Sequence, residues 1–170
     1  MRITYSLALT GMAATPAAAA GIDISIDIPR LSVAEYHRPY VAAWIEQPGQ
    51  ATAKTVAVWY DIGKRNNAGT KWLRDLRGWW RKAGRTLTLP ADGISGATRA
   101  PGPQKLLLTA GAPPLGKLAP GHYELVVEAA REVGGREQLR LPFTWPAKGP
   151  GQTVTAKGTG ELGTVTAVIK

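Results

Sequence analysis

The sequence predicts an all-β fold, an antiparallel β-sandwich of about seven or eight strands with one short amphipathic helix, on three observations. Apolar residues alternate with period two in "GIDISIDIP". Strand-like runs recur at short intervals with Gly and Pro between them, and a single segment carries helical periodicity.

Taken in order, "GIDISIDIP" sets Ile22, Ile24, Ile26 and Ile28 on one face and Asp23, Ser25 and Asp27 on the other, and Pro29 ends it. "RPYVAAWIE" and "KTVAVWYD" are rich in β-branched and aromatic residues, and "QPGQ" between them reads as a hairpin turn. "GHYELVVEAARE" has a helical composition, but Tyr123, Leu125, Val127 and Ala129 alternate with Glu124, Val126 and Glu128. "GGREQLRLPFTW" then follows as its hairpin partner, so both are strands. "KLLLT" and "LGTVTAVI" complete the set. The Gly- and Thr-rich "PAKGPGQTVTAKGTG" reads as a long loop.

The helical segment is "TKWLRDLRGWWRKAG", expected as a helix over residues 71–83 lying across one end of the sandwich with its tryptophans inward. Lys64 to Arg85 hold eight basic residues and one acid, Asp75. That flank is either a solvated face or a surface for a flat anionic ligand or an acidic partner.

The first twenty residues read as a leader: Arg2 is the only charge before Asp23, and Ala17–Ala20 supply small residues for cleavage near Ala20. A membrane anchor competes with a secretory signal peptide, but Thr4, Ser6, Thr10, Gly11, Thr15 and Pro16 dilute a run that needs ~20 mostly apolar residues. The expected organisation is therefore a signal peptide over 1–20 and one domain over 21–170, periplasmic, with no integral membrane segment in the mature chain. The net charge of +9 suggests an anionic partner, and export argues against nucleic acid. No cysteine is present, so disulfides, thiolate metal sites and cysteine nucleophiles are excluded. His37 and His122 lack metal-ligand spacing, no carboxylate pair stands out, and no phosphate-cradling glycine loop opens a helix. A self-contained enzyme is therefore not expected.

One stretch, "DGISGAT", has two readings. It is a turn, with Gly93 and Gly96 free in φ and Asp92 and Ser95 bonding their own backbone, or a hydroxyl-bearing loop displayed for modification. "GISGA" is also a near miss for a serine-nucleophile elbow, with Ala97 where the last glycine belongs.

The stretch resembles the acceptor motif Asp-x-x-Ser/Thr-Gly-Ala-Ser/Thr of covalently flavinylated bacterial proteins, such as the flavin-carrying subunits of sodium-pumping quinone reductases. Asp92, Ser95, Gly96, Ala97 and Thr98 fill every specified position. The resemblance implies that a flavin transferase joins FMN to the Thr98 hydroxyl as a phosphoester, with the other four as recognition residues. Arg99 is the nearest candidate to offset the phosphate charge, with Arg74, Arg77 or Arg81 behind it, and Trp79 or Trp80 the candidates to stack on the flavin ring. Most of the chain, through "HRPYVAAWIE", "WLRDLRGWWR", "DGISGATRAPG", "GHYELVVEAAREVGGRE" and "LPFTW", is also similar to the predicted periplasmic family called domain of unknown function twenty-two seventy-one. Members of that family are sometimes labelled flagellar on the strength of an immunoglobulin-like fold. They often occur beside flavin transferases or membrane flavin and haem reductases.

Three functions therefore compete. One is an exported flavin carrier serving a membrane flavin or haem redox protein, another an immunoglobulin-like binding or assembly module without cofactor, and the third a hydrolase using Ser95.

Overall fold

The computed structural model describes residues 20–170; the expected leader, Ala20 apart, lies outside them. Two β-sheets pack face to face. Strand β1 (Gly21–Ile28) is flanked by β5 (Gly102–Thr109) and β9 (Thr164–Ile169), and β8 (Gln152–Lys157) closes the antiparallel sheet in the order β5-β1-β9-β8. The other sheet contains β2 (Tyr40–Glu46), β3 (Ala53–Tyr60), β4 (Ser95–Ala97), β6 (Gly121–Ala130) and β7 (Arg136–Trp145), in the order β4-β3-β2-β6-β7. In immunoglobulin constant domains the first two strands share a sheet. Here β1 and β2 lie in opposite sheets, so the likeness is one of layering rather than strand order.

The alternation of β1 is borne out: Ile22, Ile24, Ile26 and Ile28 are each at most 1% exposed. They pack between the sheets with Val41, Ile45, Trp59, Leu125 and Val127. Strand β2 is buried along its whole length because its sheet is covered on both sides. Its outer face, with Ala42, Trp44, Val58, Tyr60 and Val126, forms a second core under Leu73, Leu76 and Trp79.

That cover is where the sequence reading needs correction. The one short helix is present as α1, Arg77–Lys82, shorter than the expected 71–83, and the residues before it, Arg65–Asp75, are 3₁₀ with a break at Asn66 and Asn67, both at φ of 54°. The cover lies on the face of the five-stranded sheet rather than across one end of the sandwich. The inward residues Leu73, Leu76 and Trp79 come from the 3₁₀ stretch, the non-helical junction at Leu76 (φ −75°, ψ 68°) and α1 in turn, so the break in winding at Leu76 accompanies their common direction onto the sheet. Two buried carboxylates fix the cover. Glu128 accepts the backbone N–H of Gly78 at 3.1 Å and of Trp79 at 2.8 Å, together with Arg136 at 2.7 Å. Glu46 accepts the Trp44 indole at 2.7 Å and Arg140 at 2.9 Å, with Lys82 of α1 at 3.5 Å.

Among the described residues there are nine strands, beside the expected about seven or eight. The long loop over 146–160 contains β8, whose alternating "TVTA" was outweighed by the glycines around it. The three-residue β4 lies within "DGISGAT".

Acid sensitivity follows from two carboxylates. Burial by itself would raise Glu137, but the N–H groups of Thr159, Leu162 and Gly160 and the Thr159 hydroxyl outweigh it and hold the carboxyl below its ordinary value. Glu46 is likewise depressed, burial being overcome by Trp44, Arg140 and Lys82. A depressed folded value contributes stability that is complete above the unfolded value near 4.5 and lost as pH falls through the folded one. The urea midpoint is therefore expected to fall below pH 4.5, and to fall less steeply in Glu137→Gln.

Candidate functional site

Strand β4 pairs parallel to β3, setting Ser95 against Val58, Gly96 against Trp59 and Ala97 against Tyr60. The turn before it is closed reciprocally. Ser95 N–H donates to Ala91 O at 3.0 Å, and Ala91 N–H donates to Ser95 Oγ at 2.9 Å, with Gly93 supplying φ of 73°. The Ser95 hydroxyl is thus a turn-closing acceptor. A Cβ at position 96 would stand 3.3 Å from Trp59 Cδ1 and 3.5 Å from the Arg99 guanidinium, so glycine lets the strand lie close to β3. Asp92, Ala97 and Arg99 are exposed, and Thr98 follows β4 half-buried.

Thr98 lines a cleft of about 230 Å³. Its aromatic residues are Tyr36 and Tyr40, from the stretch that leads into β2, and Trp72, from the 3₁₀ run. The Tyr36 hydroxyl is buried without a hydrogen-bond partner. Burial, reinforced by the Asp61 and Glu132 carboxylates, pushes the Tyr40 hydroxyl up to about 12, so it remains a proton donor at neutral pH. Trp72 is 38% exposed, with the Lys64 ammonium 4.3 Å from its ring centroid.

Three basic side chains reach the cleft. Arg131 is committed to Glu161 through two bonds of 2.9 and 3.1 Å, and His37 to Glu35 at 2.9 Å. Arg38 forms no ion pair among the described residues and is the cation left for an anionic group.

Of the motif, arginine and tryptophan residues assigned to the cofactor from the sequence, Thr98 alone lines this cleft. Trp79 is fully buried, its indole donating to Thr55 Oγ1 at 2.9 Å, and cannot stack on a ligand. Trp80 lines a separate groove with Lys71, Arg74, Leu87 and Leu89. Arg99 lies over the Trp59 ring at 5.1 Å, and Arg77 and Arg81 are exposed outside the cleft. The aromatic and basic roles pass instead to Tyr36, Trp72 and Arg38. Two signals were present: the dense "YHRPY" run, and the place of Trp72 one residue off the Leu73–Leu76–Trp79 repeat, which turns it outward.

The family model described as predicted periplasmic protein (DUF2271) matches residues 21–164, and the chain belongs to that family. No curated protein and no solved structure matches the chain. No helix among the described residues is long and apolar enough to cross a membrane.

Proposed function

We propose that this member of a periplasmic family is an extracytoplasmic flavin carrier, with FMN joined to Thr98 by a phosphoester and electrons exchanged with a membrane flavin or haem redox protein. The observation that carries the reading is the half-buried Thr98 hydroxyl, following a glycine-thinned edge strand, at a cleft holding three aromatic side chains and an unpaired arginine.

The aromatic side of the cleft fits the ring of the group, while Asp61, Asp75 and Glu132, which also line it, oppose an anion and leave its phosphate to Arg38. Tyr36 and Trp72 offer aromatic surface to a flat ring, Tyr40 being packed into the second core at the cleft's floor, and the orphaned Tyr36 hydroxyl offers a polar partner. Arg38 supplies the charge that a phosphodiester requires. In the attachment reaction the Thr98 oxygen forms a bond to the FMN phosphorus of FAD, the pyrophosphate P–O bond breaks, AMP leaves, and the hydroxyl proton passes to a base of the transferase. FMN, when bound, supplies reversible one- and two-electron transfer. The chain's own part is to hold, wall and charge-balance it.

The test is co-expression with an active flavin transferase. The chain should gain the mass of one FMN and remain yellow after denaturation. An unmodified chain, while a control acceptor in the same cells is labelled, leaves the cofactor-free binding module as the function. Trp72→Ala should leave the attached mass unchanged and raise flavin fluorescence, because an electron-rich quencher has been removed from the cleft. Unchanged fluorescence would place the ring elsewhere.

A further inference from the structure

The outer side of the helical cover has a charge pattern that its packing does not require. Leu73, Leu76 and Trp79 supply the contact with the sheet, while Arg65, Lys71, Arg74, Arg77, Arg81 and Arg85 are exposed. None of these six forms an ion pair among the described residues, and Asp75 alone interrupts the array. Like charges this close repel one another, so the array lowers the stability of the free chain. The same short segment carries Trp72 and Asp75 at the Thr98 cleft. Only the 3₁₀ part of the array adjoins the cleft; α1 runs on towards the other end of β2, where Lys82 donates to Gln50 O at 2.7 Å.

We infer that this basic face docks an acidic protein surface, whose footprint reaches the Thr98 cleft at the 3₁₀ end of the cover. That the partner is a redox protein rests on the flavin reading; the docking does not. Five of the six cations are arginines, whose planar forks match carboxylates in pairs. An anionic bilayer is a poorer match. The apolar side of the segment is spent on the second core, and Trp72 is its one exposed large hydrophobic residue, so no apolar face is left to enter lipid. Steering by such a face speeds encounter and weakens as salt rises.

The test uses the chain purified from a host without a flavin transferase, so its outcome is independent of whether Thr98 is modified. Fluorescein-labelled poly-L-glutamate and phosphatidylglycerol vesicles serve as probes, at low and high salt. Arg74→Glu, Arg77→Glu and Arg81→Glu together are compared with Lys105→Glu, Lys148→Glu and Lys157→Glu, an equal charge change at exposed positions away from the cover. Polyglutamate affinity should fall about tenfold or more in the first triple and far less in the second, and only at low salt. A circular dichroism melt checks folding, and Arg→Gln at the same three positions replaces the first triple if it is unfolded. Equal losses in both triples would reduce the effect to net charge and overturn the docking face. Vesicle binding tighter than polyglutamate binding would overturn it in favour of lipid.

Discussion

Thr98→Ala is expected to abolish covalent flavin completely while leaving the fold in place. The phosphoester needs a side-chain oxygen at this position, and no neighbouring hydroxyl substitutes for it: Ser95 Oγ is turned into its own loop by the Ala91 N–H at 2.9 Å. Removing the hydroxyl from a half-exposed residue outside the core should change stability by only about 0.5 kcal/mol, so lost flavin could not be assigned to unfolding. Thr98→Ser keeps the attachment atom and should keep modification. Ser95→Ala keeps it too, but removes a residue that the motif assigns to recognition, so labelling should be slower rather than absent. Intact mass of the three variants beside the parent is the measurement. Flavin retained on Thr98→Ala would sink the assignment of the acceptor.

The largest effect on stability is expected at Glu128. Glu128→Ala removes at once the acceptor for the Gly78 and Trp79 N–H groups and the partner of Arg136, all at the junction between helix α1 and the sheet. Breaking a buried charge network by removing one member costs about 3–5 kcal/mol. The lower part of that range applies, because the Arg136 side chain is 42% exposed and can turn to water, whereas the Trp79 N–H is buried and cannot. Glu128→Gln keeps an amide oxygen as acceptor and should lose roughly half as much. Urea unfolding followed by tryptophan fluorescence reports both, since Trp79 and Trp44 lie in the second core. A loss under about 1 kcal/mol in Glu128→Ala would show that the cover is held by its apolar face alone.

What the sequence made legible follows the periodicity of single segments. The isoleucines of β1 and the Tyr123–Ala129 alternation of β6 each announce a strand, and both strands are present. Features set by contacts between distant segments were not legible. A buried Glu128 looks like a solvent-facing strand residue until the N–H groups of Gly78 and Trp79 are brought to it. The cover's place on the sheet face gives β2 its two-sided burial; the unbroken apolar run "YVAAWI" carries that signal, but not which segment does the covering. The same divide runs through the site. Thr98 was marked by its motif, whereas Tyr36, Arg38 and Trp72 join it only because the stretch before β2 and the 3₁₀ run converge there. Trp79 and Trp80 present aromatic rings on the basic segment, and the packing of α1 sends one into the core and the other to a different groove.

The short pairing of β4 sets an order of events. Three residues against β3, with Val58 N–H to Ile94 O at 2.7 Å among the bonds, make a cooperative unit far smaller than either sheet. Segment 91–98 can therefore detach at a small fraction of the global unfolding free energy, and its amides should exchange with solvent by that local opening. A transferase that takes the acceptor as an extended peptide meets it in the detached state, while the rest of the sandwich stays folded. Re-pairing afterwards returns Thr98 to the cleft and covers the β3 edge, which would otherwise offer unpaired N–H and C=O groups to another chain. A longer β4 would guard that edge better and surrender its hydroxyl more slowly. Three residues fall between those demands.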